Sequence, residues 1–210
     1  MRTILIFCAH SDDEAVGMAG TIAKFVDEKY QVIKVVLSFG ESSHPHFQED
    51  VVIKKRVQET EEASKFIGIK KTMFLGLKDF NVKQELKEKN GKEIIKKIIE
   101  KYKPLQIYVP TDSDPHPDHK AVNKVVLEAV DVLRKNYPIY AFEVWNLVQE
   151  GHPLVYIDIT KYYKKKIKYI KTFASQWVYM YSLMIPVYIR SRTYGWAHNC
   201  KYAERFYKIR

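Results

Sequence analysis

Two cysteines, Cys8 and Cys200, are too few for a disulfide framework, and no CxxC pair is present. Glycine and proline are scarce, eight of each in 210 residues, and they do not cluster, which excludes low-complexity linkers. No internal repeat is visible. No apolar run reaches the ~18–20 residues that a membrane span needs. The start, MRTILIFCAH, turns polar too soon for a signal peptide, so a cytoplasmic protein is expected. A GxGxxG fingerprint, a P-loop and a nucleophile elbow are all missing. Zinc-finger, KH and RNP-type signatures are missing too, and no nucleic acid partner is expected.

Acidic residues are outnumbered, 25 against 35 Lys and Arg, for a net charge of +10. Such a balance suits nucleic acid, an anionic membrane or an anionic small substrate. Here the lysines sit among glutamates in KEIIKKIIEKYK (92–103) and recur in KYYKKKIKYIK (161–171), which reads as solvated helix faces. At 46% hydrophobic and 29% charged the composition is globular, and the length suits a single domain over 1–210. The abundance of Lys, Ile and Tyr has a thermophilic flavour.

Strand and helix patterns alternate. Strands are predicted at 3–9, 31–40, 70–77, 105–110, 139–145 and 154–160, and helices at 14–30, 50–68 (stopped by Gly68), 91–104 (stopped by Pro104), 117–135 and 161–175. Residues 41–49 and 111–115 read as loops, and the last 30 carry no clear pattern. This order predicts an α/β fold: a Rossmann-like three-layer sandwich with a mostly parallel sheet. Ligands in such folds bind beyond the carboxyl ends of the strands. The two richest polar clusters fall there, His10 to Glu14 after the first strand and Asp112 to His119 after the fourth.

A buried strand that runs into His10, Asp12 and Asp13 needs something to compensate those groups: a partner charge, a metal or a catalytic task. His10, Asp13 and His119 together offer two imidazoles and a carboxylate, the donor pattern of a catalytic zinc site with one open position. Asp12, beside a ligand, is placed to act as general base. His116, just ahead of a helix opened by Pro117, can face the same crevice and either stabilise an oxyanion or protonate a leaving amine. Taken separately, HSDD also reads as a helix cap and HPDH as an ordinary helix start.

The sequence AHSDDE (9–14) with HPDH (116–119) resembles the paired signatures of the PIG-L/LmbE-like de-N-acetylases, zinc-dependent enzymes that remove acetyl from N-acetylglucosamine-type sugars. RVQETEEASKFIG (56–68), FLGLKDF (74–80), KTFASQ (171–176) and GWAHNCKYAERF (195–206) extend the resemblance over most of the chain. It implies His10, Asp13 and His119 as ligands of Zn2+, with Fe2+ as the other candidate. It implies Asp12 as general base, His116 as oxyanion-stabilising or acid histidine, Asp118 as its orienting partner, and Arg56 in the substrate pocket. The implied reaction is attack of a zinc-bound water on the acetyl carbonyl. Ser11 departs from the family's usual proline. The alternatives are a metal-dependent amidohydrolase on another amide and a non-catalytic sugar-binding relative.

Other residues have plainer readings. Cys8 reads as core, Cys200 is ambiguous, and His198 reads as a surface histidine. His44 and His46 are candidates for the crevice mouth. Asp112 and Asp114 are placed to orient His116, bind substrate hydroxyls or satisfy turn amides. The apolar stretch 177–189, interrupted by Pro186, reads as core helix or subunit interface of a homo-oligomer. Its sharper reading is a wall for the lipid part of an anionic or lipid-linked amino-sugar substrate, which would put the protein at the membrane periphery.

Overall fold

The computed structural model describes residues 2–43, 46–145 and 151–210, and of 178–180 only the backbone. Its strands are β1 (Thr3–Cys8), β2 (Gln31–Ser38), β3 (Lys71–Leu77), β4 (Gln106–Pro110), β5 (Ile139–Phe142), β6 (Leu154–Asp158) and β7 (Ala203–Lys208). The helices are α1 (Asp13–Asp27), α2 (Glu49–Ile67), α3 (Val82–Glu88), α4 (Gly91–Tyr102), α5 (Pro117–Asp131), α6 (Tyr163–Ile170) and α7 (Trp177–Ala197).

The described strands form one sheet in the order β3-β2-β1-β4-β5-β7-β6. β1 to β5 pair in parallel, and β7 runs antiparallel between β5 and β6. The chain leaves β1 for β2 on one side and later returns to β4 on the other. The carboxyl ends of β1 and β4 thus flank the point where strand order reverses, the place an open α/β sheet leaves a crevice.

β1 shows why helices cover both faces. Ile4, Ile6 and Cys8 pack with residues of α1, α2, α6 and α7, while Leu5, Phe7 and Ala9 pack with those of α3, α4 and α5. A strand buried on both faces reads as a continuous apolar run, as TILIFC does.

Several elements differ from expectation. α3 lies in a stretch the sequence left unassigned. The helix expected over 161–175 is regular only over Tyr163–Ile170. Pro186 does not interrupt α7, which runs through it. Two lysines read as solvated or overlooked, Lys166 and Lys34, are buried. No described helix is long and apolar enough to cross a membrane.

Candidate metal centre

β1 delivers the chain to His10 at the sheet's carboxyl edge, where Ala9 O still accepts from Ser38 N at 2.8 Å. The loop then folds on itself: Asp13 Oδ2 accepts the His10 backbone N–H at 2.9 Å. The other oxygen, Asp13 Oδ1, stands 3.7 Å from His10 Nδ1 and 3.1 Å from His119 Nε2. His119 arrives from the first turn of α5, whose start is fixed by Pro117 at its N-terminus. Two strand ends thus bring His10, Asp13 and His119 together.

Each imidazole is backed by a second carboxylate. His10 Nε2 lies 2.9 Å from Asp79 Oδ1, and His119 Nδ1 lies 2.9 Å from Asp114 Oδ1. For His10 this is the outer arrangement of a metal-binding histidine, one nitrogen hydrogen-bonded to a carboxylate and the other turned away from it; Asp114 stands beside His119 Nδ1 as a charge, without an aligned hydrogen bond. Nδ1 of His10 and Nε2 of His119 are the nitrogens that face Asp13. Two imidazole nitrogens and one carboxylate oxygen suit a divalent metal with an open position. Among the described residues two groups have donor atoms all within 4.8 Å of one another, His10 with His116 and His119, and His10 with Asp79, His116 and Asp118; Asp13 belongs to neither group.

Without a metal the cluster is a tight ion network. Burial opposes charge on His119, but Asp13 and Asp114 outweigh it and push its pKa up to about 9. Burial likewise disfavours charged His10, and the surrounding carboxylates of Asp118, Asp13 and Asp79 raise its pKa well above the ordinary value. Burial opposes ionisation of Asp13, but the two histidines hold its carboxyl well below the usual range.

His116 behaves differently. Burial, then the positive fields of His10 and His119, lower its pKa. Its Nδ1 accepts the Asp118 backbone N–H at 3.2 Å, which leaves Nε2 as the donor nitrogen of a neutral ring. The ring stacks on His119 at 4.9 Å and stands edge-on to His10 at 4.7 Å.

A cavity of about 270 Å³ opens over these residues, and Asp12, Asp13, His10, His116 and Arg56 line it with Trp145. Arg56 is buried and donates through Nη2 to Asp12 Oδ1 at 3.2 Å and through Nη1 to Gly40 O at 2.9 Å. Gly40 has φ 69°, the left-handed region that favours glycine, and a side chain there would displace the Arg56 guanidinium.

The structure assigns some expected residues to different places. The Asp118 carboxylate has an oxygen within 4.8 Å of a His116 nitrogen, while Oδ2 accepts from Phe80 N at 2.8 Å and lies 3.6 Å from His10 Nε2. Its backbone N–H donates to His116 Nδ1. Asp114 is wholly buried behind His119, accepting from His116 N at 2.9 Å and Trp145 N at 3.0 Å, and is not on the cavity wall. Asp112 and His46 are exposed, and His44 lies outside the described residues. His198 is exposed and stacks on Tyr156. Cys8 is buried, and Cys200 is partly exposed.

Asp79 was not anticipated, nor was Glu41, whose Oε1 accepts the Asp79 backbone N–H at 2.9 Å. The available signal was the polar pair Lys78 and Asp79 directly after a predicted strand, the position where α/β proteins keep ligand-facing groups.

The fold and this cluster together define an α/β protein with a candidate divalent-metal centre at its topological switch point. The chain belongs to the PIG-L family, described as GlcNAc-PI de-N-acetylase, which it matches over residues 5–130. It is 28% identical over 189 residues to a probable N-acetyl-alpha-D-glucosaminyl L-malate deacetylase 2 of Bacillus anthracis, covering 83% of this chain and 81% of that one. It is 24% identical over 192 residues to the diacetylchitobiose deacetylase of Thermococcus kodakarensis, covering 84% and 70%. Among solved structures, the 4-carboxy-2-hydroxymuconate hydratase of Pseudomonas putida KT2440 superposes with a TM-score of 0.86 at 22% identity, over 100% of this chain and 97% of that one. At that identity the likeness concerns the fold alone.

Proposed function

We propose that the protein is a metal-dependent N-deacetylase that hydrolyses the acetamide of an N-acetylglucosamine-type sugar or sugar conjugate. The single observation that carries this reading is Asp13 Oδ1 set between two carboxylate-backed imidazoles, at 3.1 Å and 3.7 Å, on the floor of a cavity that also holds Asp12 and His116. The family and the two deacetylase relatives support the substrate class. The same reading takes 1–210 as one such domain.

His10, Asp13 and His119 would hold Zn2+, or Fe2+, which accepts the same ligands. A bound divalent ion supplies Lewis acidity toward the amide carbonyl and lowers the pKa of water in its open position. Asp12, oriented by Arg56, takes a proton from the attacking water as the new C–O bond forms. His116, neutral and protonated on Nε2, donates a hydrogen bond to the developing oxyanion. The carbon–nitrogen bond then breaks, the proton on Asp12 passes to the leaving nitrogen, and acetate and a free amino sugar depart.

A lipid-linked or otherwise apolar conjugate is the second reading for the substrate. It is favoured by α7, which exposes Trp177, Tyr181 and Ile185 while Leu183 of the same helix lines the cavity. Activity that rises on acidic liposomes would support it, and equal turnover of a short soluble sugar would exclude it.

The deciding experiment for the mechanism is Asp12→Asn. Metal content should be unchanged while acetate release falls by about 10²–10⁴-fold, the usual share of a general base. Full activity in that variant would remove Asp12 from the mechanism.

A further inference from the structure

α1 is continuous in outline but broken within. Met18 has φ −147° and ψ 18°, so the turn Asp13–Gly17 is set off from the rest of the helix. A break frees carbonyls before it and amides after it, and buried ones need partners.

Here the partners are charged side chains from distant elements. Glu204, on β7, accepts Gly20 N at 3.0 Å and Thr21 N at 2.7 Å, one with each carboxylate oxygen. Lys166, on α6, donates to Val16 O at 2.8 Å and to Glu204 Oε1 at 2.7 Å. Both side chains are buried, at 2% and 3% exposure.

One turn further along α6, Tyr169 OH donates to Glu14 Oε1 at 2.5 Å. The same oxygen accepts Lys34 Nζ at 2.6 Å, and Lys34 also donates to Ser11 O at 3.1 Å. The turn that carries Asp13, with Asp12 at its head, is therefore gripped at Glu14 and at Val16 O by two residues of one helix. Gly17 lies against Phe142 and the Glu143 carbonyl, with no room for a Cβ.

Stability alone gives no reason for this construction. An unbroken helix would pair its own amides, and a buried ion pair is often no more stable than apolar residues of the same volume. What the construction does fix is where the first turn of α1 points.

We propose that α6 is a clamp on the metal-binding turn, with Lys166 and Tyr169 as positioning residues that keep Asp12 and Asp13 in register with His119. This rests on the metal-dependent reading of the site.

The test uses the full chain in four forms: wild type, Tyr169→Phe, the double variant Lys166→Met/Glu204→Gln, and Ile99→Ala as a control for general destabilisation in the opposite layer of the core. Tyr169→Phe removes a single hydroxyl, so the test stands even where the double variant does not fold. Zinc affinity is measured by chelator competition, and kcat and KM at a temperature where all folded forms are native. The clamp predicts zinc affinity at least about 10-fold weaker and a lower kcat at little-changed KM for Tyr169→Phe and the double variant. Ile99→Ala should lower Tm and change neither. Wild-type affinity and kcat in Tyr169→Phe would overturn the clamp and leave the functional reading standing. A wild type that binds no metal would overturn both.

Discussion

Asp79 and Asp114 each place a carboxylate oxygen 2.9 Å from one nitrogen of His10 and of His119, on the side away from Asp13. Replacing either with asparagine keeps the shape and removes the charge. Asp79→Asn and Asp114→Asn should each weaken metal binding about 10–100-fold, read by chelator competition, with the fold intact by circular dichroism. Unchanged affinity would mean these carboxylates serve packing only. The cluster also dictates opposite pH trends with and without metal. In the metal-free protein the His119 pKa stands at about 9 against an ordinary 6.5. A group whose pKa is raised by folding stabilises fully below its unfolded value and loses that contribution as pH rises through the folded one. Metal-free protein should therefore become less stable to denaturant between about pH 6.5 and 9, while metal affinity rises over the same window because binding expels that proton. Parallel trends would contradict the network. That His10, Asp13 and His119 come together was legible in sequence because HSDD and HPDH each follow a predicted strand and hold their groups within a few residues. Asp79 was not, because its nearness to His10 depends on how the sheet is ordered. Lys166 was hidden for another reason: in KYYKKKIKYIK nothing marks which lysine turns inward.

Among the elements, α1 and α5 matter most because their first turns carry the candidate ligands. α5 was readable from Pro117 and its apolar spacing. α1 was readable as a helix but its break at Met18 was not, since Glu204 and Lys166, which satisfy it, lie far along the chain. Gly17 is where α1 meets the end of β5, and a Cβ would collide with both the Phe142 ring and the Glu143 carbonyl. Gly17→Ala should cost about 1–3 kcal/mol, the usual penalty of overpacking, measured by denaturant unfolding, and should weaken metal binding as the turn is pushed away. A neutral outcome would mean that the turn shifts freely. β7 escaped the sequence because adjacent Glu204 and Arg205, followed by adjacent Phe206 and Tyr207, break the alternation a half-buried strand would show. In the sheet those charges are used: Glu204 caps the broken helix, and Arg205 pairs with Glu143. α7 looked interruptible at Pro186, since an interior proline removes one helix hydrogen bond and crowds the preceding turn, yet the helix runs through it, with Leu183 and Val187 buried on either side.

For the whole molecule, the reversal of strand order at β1 and β4 makes the crevice, and the α/β alternation that produces it was visible in the sequence. What alternation could not give was β7 entering antiparallel between β5 and β6, because pairing across that distance leaves no local signature. The fold by itself does not choose the reaction either, since a hydratase and deacetylases share it or its family. The choice falls to the cluster at the switch point, and the most direct test is metal content by mass spectrometry on wild type and His119→Ala, with acetate release from N-acetylglucosamine derivatives followed in the same preparations. About one zinc or iron per wild-type chain is expected, as three protein ligands hold a single catalytic ion, with metal and activity lost together in His119→Ala. No bound metal in the wild type and no activity after adding zinc would contradict it, and HSDD would then be no more than the start of a helix.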